Sequence, residues 1–476
     1  MTAVEDPVAA PTTSHARPWG AYGKAPLIAL ALLGLVEGME KRVLPAVLSL
    51  VQDDLGFSDF QAGLLDTAII VAALLVALPA GLLADRVDRR RFIAGTFVVW
   101  SGLVAVSGTV KGYGQLLGLR ALIGAGDAVN DPAAQSLLAD YYAPERRGRV
   151  YGIHRVTPVV GAALGLGVGA ALGALFGWRI AVVVLAVPGL LAALLVLRLR
   201  EPARGASELI VGAVPEGVSA RVAVRAVLAI PSLRALVLAT ALTTGALSSV
   251  AFWGVVFFQR AAGLSLTEAG TVAGVPVLFG ALAGSLAGGW LVDRLRGRIA
   301  GAALLVAAVF TALGSLLFTL SFLDGVPLLV RLPMQGMSVG LLVGSLPATT
   351  VLTSEVVPPA LRGTAFGVLK LSSNVLAALF PPLVGLIADM NQVVAADGVL
   401  RGDLGLGFRC TLPAILVASA LLWRGRCHVA RDTLVAQGID PATLPPSVRE
   451  RMPASWQLIA TVVLLGLGLL AVALLA

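Results

Sequence analysis

Apolar residues in this chain come in stretches of about 20 or more, the length at which a helix crosses a bilayer's hydrocarbon. The pattern predicts spanning helices at 26–51, 61–84, 92–110, 114–139, 149–176 and 178–198. It predicts six more at 233–258, 268–292, 299–323, 326–355, 360–388 and 404–424. Most are separated by short polar turns, but 199–225 is longer and holds Pro202, Gly205, Glu208 and Glu216. The expected organisation is a tail (1–25), a six-helix bundle (26–198), a linker (199–225), a second six-helix bundle (226–424), a polar segment (425–454) and a final apolar run (455–476). That run is uncharged, begins near Trp456 and follows Arg449 and Arg451, so a thirteenth spanning helix is expected. A helix packed along the bundle through Gly466 and Gly468 is the alternative.

The two halves repeat a phrase. Gly81-Leu82-Leu83-Ala84-Asp85-Arg86 returns as Gly289-Trp290-Leu291-Val292-Asp293-Arg294, each copy at the end of an apolar run. Asp140-Tyr-Tyr-Ala-Pro144-Glu-Arg-Arg147-Gly148 is echoed by Glu355-Val-Val-Pro-Pro359-Ala-Leu-Arg362-Gly363. Matching phrases in two membrane-sized halves indicate a duplicated bundle, an architecture of transporters. The repeats read as a gate: Asp85 is expected near the first turn of helix 360–388, beside Pro359, and Arg89 or Arg90 within reach of Asp140. Arg86, Asp293 and Arg294 complete the gating set.

Composition narrows the class. Hydrophobic residues make up 58% of the 476 and charged residues 13%, too little polar surface for a soluble protein. The net charge of +8 comes from short loops, including Arg89–Arg91, Arg146, Arg147, Arg198 and Arg200, while the opposite loops carry Asp53, Asp54 and Asp59. That is the positive-inside pattern, not a nucleic-acid signal, and it places both bundle ends and the N-terminus in the cytoplasm of a plasma-membrane protein. The first 25 residues lack a basic n-region and an apolar h-region, so they read as a cytosolic tail. Cys410 and Cys427 make neither a disulfide framework nor a metal spacing. Nucleophile elbows and phosphate-cradling loops are absent, so no enzyme, metal or cofactor is expected.

Ionisable residues at membrane depth mark pathways, because each is costly in lipid without a partner or a cavity. The first half holds most of them. Glu37 and Lys41 are four apart, share a face and so can pair, with Glu40 one turn from Glu37. Arg120, Asp127 and Asp131 form one stripe of helix 114–139, and Pro132 is expected to bend it. Asp66 lies on the second helix, and His154 and Arg155 on the fifth. Glu40 and Asp127 are expected to carry protons, Glu37, Asp131 and Asp66 to assist, and Lys41 to serve as electrostatic partner of Glu40. Arg155 suits an anionic head group in fork geometry or the neutralisation of a carboxylate. In the second half Lys370 and Asn374 are substrate-binding candidates, with Trp253 and Phe257 as apolar walls; Lys41, Arg120 and His154 join them from the first half.

Gly81-x-x-x-Asp85-Arg86 with Arg89, Arg90 and Arg91 resembles the signature of the major facilitator superfamily. The resemblance implies two six-helix bundles related by a pseudo-twofold axis. Within that superfamily 30–205 is similar to Spinster lipid transporters. The carrying residues are Met39-Glu40-Lys41, Arg120 through Gly124, Gly126, Asp127 and Ala128, then Leu137-Leu-Ala-Asp140, Gly177-Trp178-Arg179, Arg200-Glu201-Pro202-x-Arg204-Gly205 and, later, Pro382 through Asp389. It departs at Asp66, His154 and Arg155, where that family has uncharged residues. The expected function is proton-coupled transport of an amphipathic substrate, a lysophospholipid or similar single-chain lipid, by a monomer among membrane lipids. The rival is a drug–proton antiporter for hydrophobic cations, since acids outnumber bases among the first half's groups at membrane depth; a non-transporting receptor or enzyme is a remote third.

Overall fold

The computed structural model describes residues 22–84, 87–142, 144–202, 220–296, 298–299, 301–323, 325–358, 361–396 and 398–439. Asp85, Arg86, Pro359 and the apolar run 455–476 lie outside the described residues, as do the side chains of Asp127, Asp131 and Pro132.

The first half is built from α1(Ala25–Ala46), α2(Leu48–Leu55), α3(Asp59–Ala84), α4(Arg89–Ser107), α5(Tyr113–Tyr141), α6(Pro144–Phe176) and α7(Trp178–Leu197). Helix α1 starts on a proline in its first turn and is interrupted at Val47, two residues after Pro45, so α1 and α2 together make one bent crossing. Asp88 caps α4 by accepting from the Arg91 backbone N–H at 3.0 Å. A short helix, α8(Ala220–Ala229), lies inside the segment expected as linker.

The second half comprises α9(Pro231–Ala262), α10(Leu266–Leu295), α11(Ala302–Ser321), α12(Leu328–Gly344), α13(Pro347–Val356), α14(Arg362–Met390), β1(Gln392–Val394), β2(Leu400–Gly402), α15(Leu404–Arg409) and α16(Leu412–Ala436). Ser265 and Glu268 form a capping box at the start of α10. Helix α16 runs past 424 to Ala436, so the first part of the expected polar segment continues the helix. Asp432 explains the extension, because its carboxylate accepts from both the N–H and the hydroxyl of Ser232 and anchors α16 to the start of α9.

Among the described residues nine helical stretches are long and apolar enough to cross a membrane. The segments of α1, α4 and α5 fall short, and these carry the mid-helix charges of α1 and α5 and the arginine run opening α4.

Packing repeats across the halves. Helix α1 lies against α6 and α3 against α5; α9 lies against α14 and α10 against α12 in the same relation. The halves meet through α3 with α14 and α6 with α10. The antiparallel β1–β2 hairpin, with Val393 opposite Arg401, marks one end of the molecule, here the hairpin face. The opposite end, where Asp88 and α8 lie, is the linker face.

Candidate functional site

Glu40 is 1% exposed, yet it points away from the other half of the molecule. Its Oε1 accepts a 2.9 Å hydrogen bond from Ser101 Oγ on α4. On the third side is Gly189 of α7, where any Cβ would run into Ser101 Oγ and Glu40 Oε1. Sequence reading missed this niche because its three residues sit on three helices. Oε2 of Glu40 has no hydrogen-bond partner among the described residues. Lys41, expected as partner of Glu40, instead pairs with Glu37 at 2.7 Å, and its Nζ lies 5.6 Å from the centre of the Trp100 ring. Residues four apart on a helix line up, whereas neighbours diverge by about 100°.

A second cluster joins three helices. The guanidinium groups of Arg42 (α1) and Arg120 (α5) both interact with the Asp66 carboxylate (α3) and with each other. Arg120 is 4% exposed, and its Nε and Nη2 lack hydrogen-bond partners among the described residues. Arg42 was not foreseen; its signal was the unbroken charge run Glu40-Lys41-Arg42. His154 is buried, while Arg155 is exposed.

In the second half Lys370 is exposed and Asn374 half-buried. The two belong to one stripe of α14 with Ala377 and Pro381, on the side away from the exposed Leu371, Val375, Leu379 and Leu383. Toward the hairpin face this stripe is closed: Gly63 of α3 approaches Pro381 and Pro382, and Trp253 Nε1 donates to the Pro381 carbonyl at 2.9 Å. Toward the linker face it is open at Lys370. Trp253 and Phe257, expected as walls of the pathway, are corrected here: they are 0% and 3% exposed. Phe257 packs edge-on against Phe322 and Phe408, with Arg331 above its ring. Their partners belong to the second half itself: Pro381 for Trp253, and Phe322, Phe408 and Arg331 for Phe257.

That closure has visible contacts. Asp59, 4% exposed, receives Arg260 Nη1 at 2.6 Å and Nη2 at 2.8 Å, and Gln52 Nε2 at 2.8 Å. Asp389 at the end of α14 accepts from the N–H groups of Asp59 and Phe60, capping α3 from the other half. Thr67 donates to the Ala378 carbonyl, and Arg401 of β2 reaches Asp53. Within the first half, Asp54 binds both Trp178 Nε1 and Arg179.

On the linker face the described polar contacts of the gating residues stay within each half. Arg89 Nη1 meets Asp140 at 2.6 Å and its Nε meets Glu201 at 2.8 Å. Arg90 binds Asp88 and the carbonyls of Leu197 and Leu199. In the second half the corresponding contact is Arg296 with Glu355, at 2.7 Å, not Arg294. Arg294 lies over the Trp290 ring and, like Asp293, is exposed. Asp88 is partly buried, which opposes its ionisation, but the Arg91 N–H and the Arg90 guanidinium outweigh this and hold its carboxyl below the usual aspartate range.

Two halves in a repeated packing, joined through α3 with α14 and α6 with α10 and held together at the hairpin face, define the two-bundle fold of a membrane transporter. The family model of the Major Facilitator Superfamily matches residues 28–392, and the chain belongs to that superfamily. Part of the chain is similar to Spinster proteins: 29% identical over 180 residues to protein spinster of Drosophila melanogaster and 32% over 206 residues to human protein spinster homolog 3. These matches cover 38% and 42% of this chain but only 30% and 40% of the relatives. An MFS-type efflux pump of Mycolicibacterium smegmatis is 26% identical over 446 residues, 90% of this chain and 98% of the pump. Among solved structures, a bacterial homolog of the human lysosomal transporter Spinster, inward-facing and unoccupied, superposes with a TM-score of 0.76 at 23% identity, covering 87% of this chain and 98% of that one. At that identity the likeness establishes the fold.

Proposed function

We propose that this transporter couples movement of an amphipathic, single-chain lipid to a proton gradient. The linker face, rich in arginine, is in this reading the cytoplasmic one, and the membrane is the plasma membrane. The observation that carries the reading is the unequal interior. Glu37, Glu40, Lys41, Arg42, Asp66 and Arg120 crowd the first half, whereas the second offers an aromatic core and one exposed cation, Lys370, on its inner stripe. A head group finds charge on one side and a tail finds apolar surface on the other. Glu40 serves as proton carrier: an isolated carboxylate held by a single hydroxyl is costly at membrane depth, and protonation removes that cost. Asp127, on the same stripe as Arg120, is the second carrier in this reading.

A second reading, antiport of hydrophobic cations, has one specific support in the efflux pump matched along 90% of the chain. Uptake into liposomes with an imposed pH gradient separates the two, using a lysophospholipid and a cationic dye as alternative cargoes. Gradient-driven lysophospholipid uptake, abolished in Glu40→Gln, is the expected result. Dye transport with no lysophospholipid uptake overturns the lipid assignment, and full activity of both Glu40→Gln and Asp127→Asn overturns the coupling assignment.

A further inference from the structure

The duplication gives a register for comparing side chains between halves. Asp140 corresponds to Glu355, and Arg147-Gly148 to Arg362-Gly363. In that register Arg155 of α6 and Lys370 of α14 occupy the same position, each fifteen residues after its acid. The repeat makes the two cations equivalent, and the helix faces show where the stripe that carries each one leads.

Helix α6 turns one side to α1, where Gly38 meets Pro158 and Leu35 meets Gly161, and another to α10, where Leu166 and Ala170 meet Gly270. Arg155 falls between those two directions, in line with Ala162, Leu166 and Gly173. Helix α14 makes the equivalent contacts with α9 and α3, and Lys370 falls between them in line with Asn374, Ala377 and Pro381. Near the hairpin face both stripes are buried against the opposite half, at Leu166 and Gly173 and at Pro381 and Ala388. Toward the linker face burial falls off along both stripes, through half-buried Ala162 and Asn374, and the first charged residues reached are the exposed Arg155 and Lys370. Neither has a hydrogen-bond or ion-pair partner among the described residues.

We propose that Arg155 and Lys370 form a two-point clamp for an oxyanion, one cation from each half, which the anionic head of the substrate bridges when the linker face closes. The inference rests on the transporter reading and names the head-group chemistry it left open. As α6 and α14 converge on the linker side, two like charges approach each other across a space of low dielectric, which opposes closure. An oxyanion between them reverses the sign, so only the loaded carrier closes readily. Arginine offers a planar fork to two oxygens, and lysine a point charge to a third. A phosphate monoester supplies all three.

The test uses lysophosphatidic acid as a probe with both head and chain, glycerol 3-phosphate as head alone, and a monoacylglycerol as chain without charge. Binding is measured to the intact protein and to Arg155→Gln, Lys370→Gln and the double variant. Each single change is expected to weaken lysophosphatidic acid binding about tenfold, and the double variant to lose less than the product of the two losses, because either change breaks the bridge. Monoacylglycerol binding, unchanged throughout, shows that the variants remain folded. Glycerol 3-phosphate competing with the lipid identifies a clamp that accepts any phosphate monoester; no competition identifies one that needs the chain, and both keep the clamp. Wild-type binding that the single variants leave intact, or losses that multiply independently, overturns it. Failure of the wild type to bind lysophosphatidic acid, with tight binding of a cationic dye, overturns the lipid reading instead.

Discussion

Charged residues in this molecule are decided by their immediate partners. Asp88 lies in a basic loop and would pass as one more solvated charge. In the structure it caps α4 and bonds Arg90. Asp88→Ala is expected to lower stability by about 1 kcal/mol. The folded carboxyl sits below the ordinary aspartate range, so its contribution is present at neutral pH and is lost as pH falls through the folded-state value. Thermal unfolding in detergent should therefore separate the variant from wild type near neutral pH and merge the two in acid; a gap that persists in acid would contradict the capping account. The Glu37–Lys41 pair is legible from its spacing of four. The neighbours of Glu40 are not, because Ser101 and Gly189 are unremarkable residues of α4 and α7 until three helices bring them to one point.

At the scale of elements, helix positions follow closely from hydrophobic runs, since lipid forces every spanning segment to satisfy its own backbone. The ends differ where side chains reach across, as Asp432 does in extending α16. Helix–helix spacing is set by glycine. Gly280, Gly284 and Gly288 of α10 face Gly336, Gly340 and Gly344 of α12 so closely that a Cβ on Gly284 would overlap the Gly340 carbonyl. Apolar tails give helices no hydrophobic reason to associate in lipid, so close backbone packing supplies it. Gly284→Val is expected to force α10 from α12 and cost about 1–3 kcal/mol, read as a lowered unfolding temperature of purified protein. The control Gly289→Val, one residue beyond the ladder and facing open space, should be silent. Equal losses in both would remove the close-approach explanation.

For the whole molecule the relevant contacts join residues far apart in sequence. Asp59 and Arg260 are 201 positions apart, and Asp389 caps α3 from 330 positions away. With Arg260→Gln the Asp59 carboxylate stays buried and loses its cation, so the closed hairpin face loses a charged hydrogen bond of about 1.5–3 kcal/mol. The population is expected to move about tenfold or more toward a hairpin-open state. Spin labels at Lys111→Cys and Val399→Cys, with Cys410 and Cys427 replaced, would report it as a longer inter-half distance. An unchanged distribution would mean that α3–α14 packing alone holds this end shut.

The sequence by itself determined the membrane class, the two six-helix halves, their duplication, the basic face and the list of ionisable groups at depth. Those follow from local properties: length of apolar runs, period of a helix, charge of loops. Tertiary structure decided everything that depends on which faces meet. It set Glu40 against α4 and α7, added Arg42 to Asp66 and Arg120, and withdrew Trp253 and Phe257 into the core. A helical period fixes which residues share a stripe, but only the packing of neighbouring helices fixes whether that stripe meets protein, lipid or an open pathway.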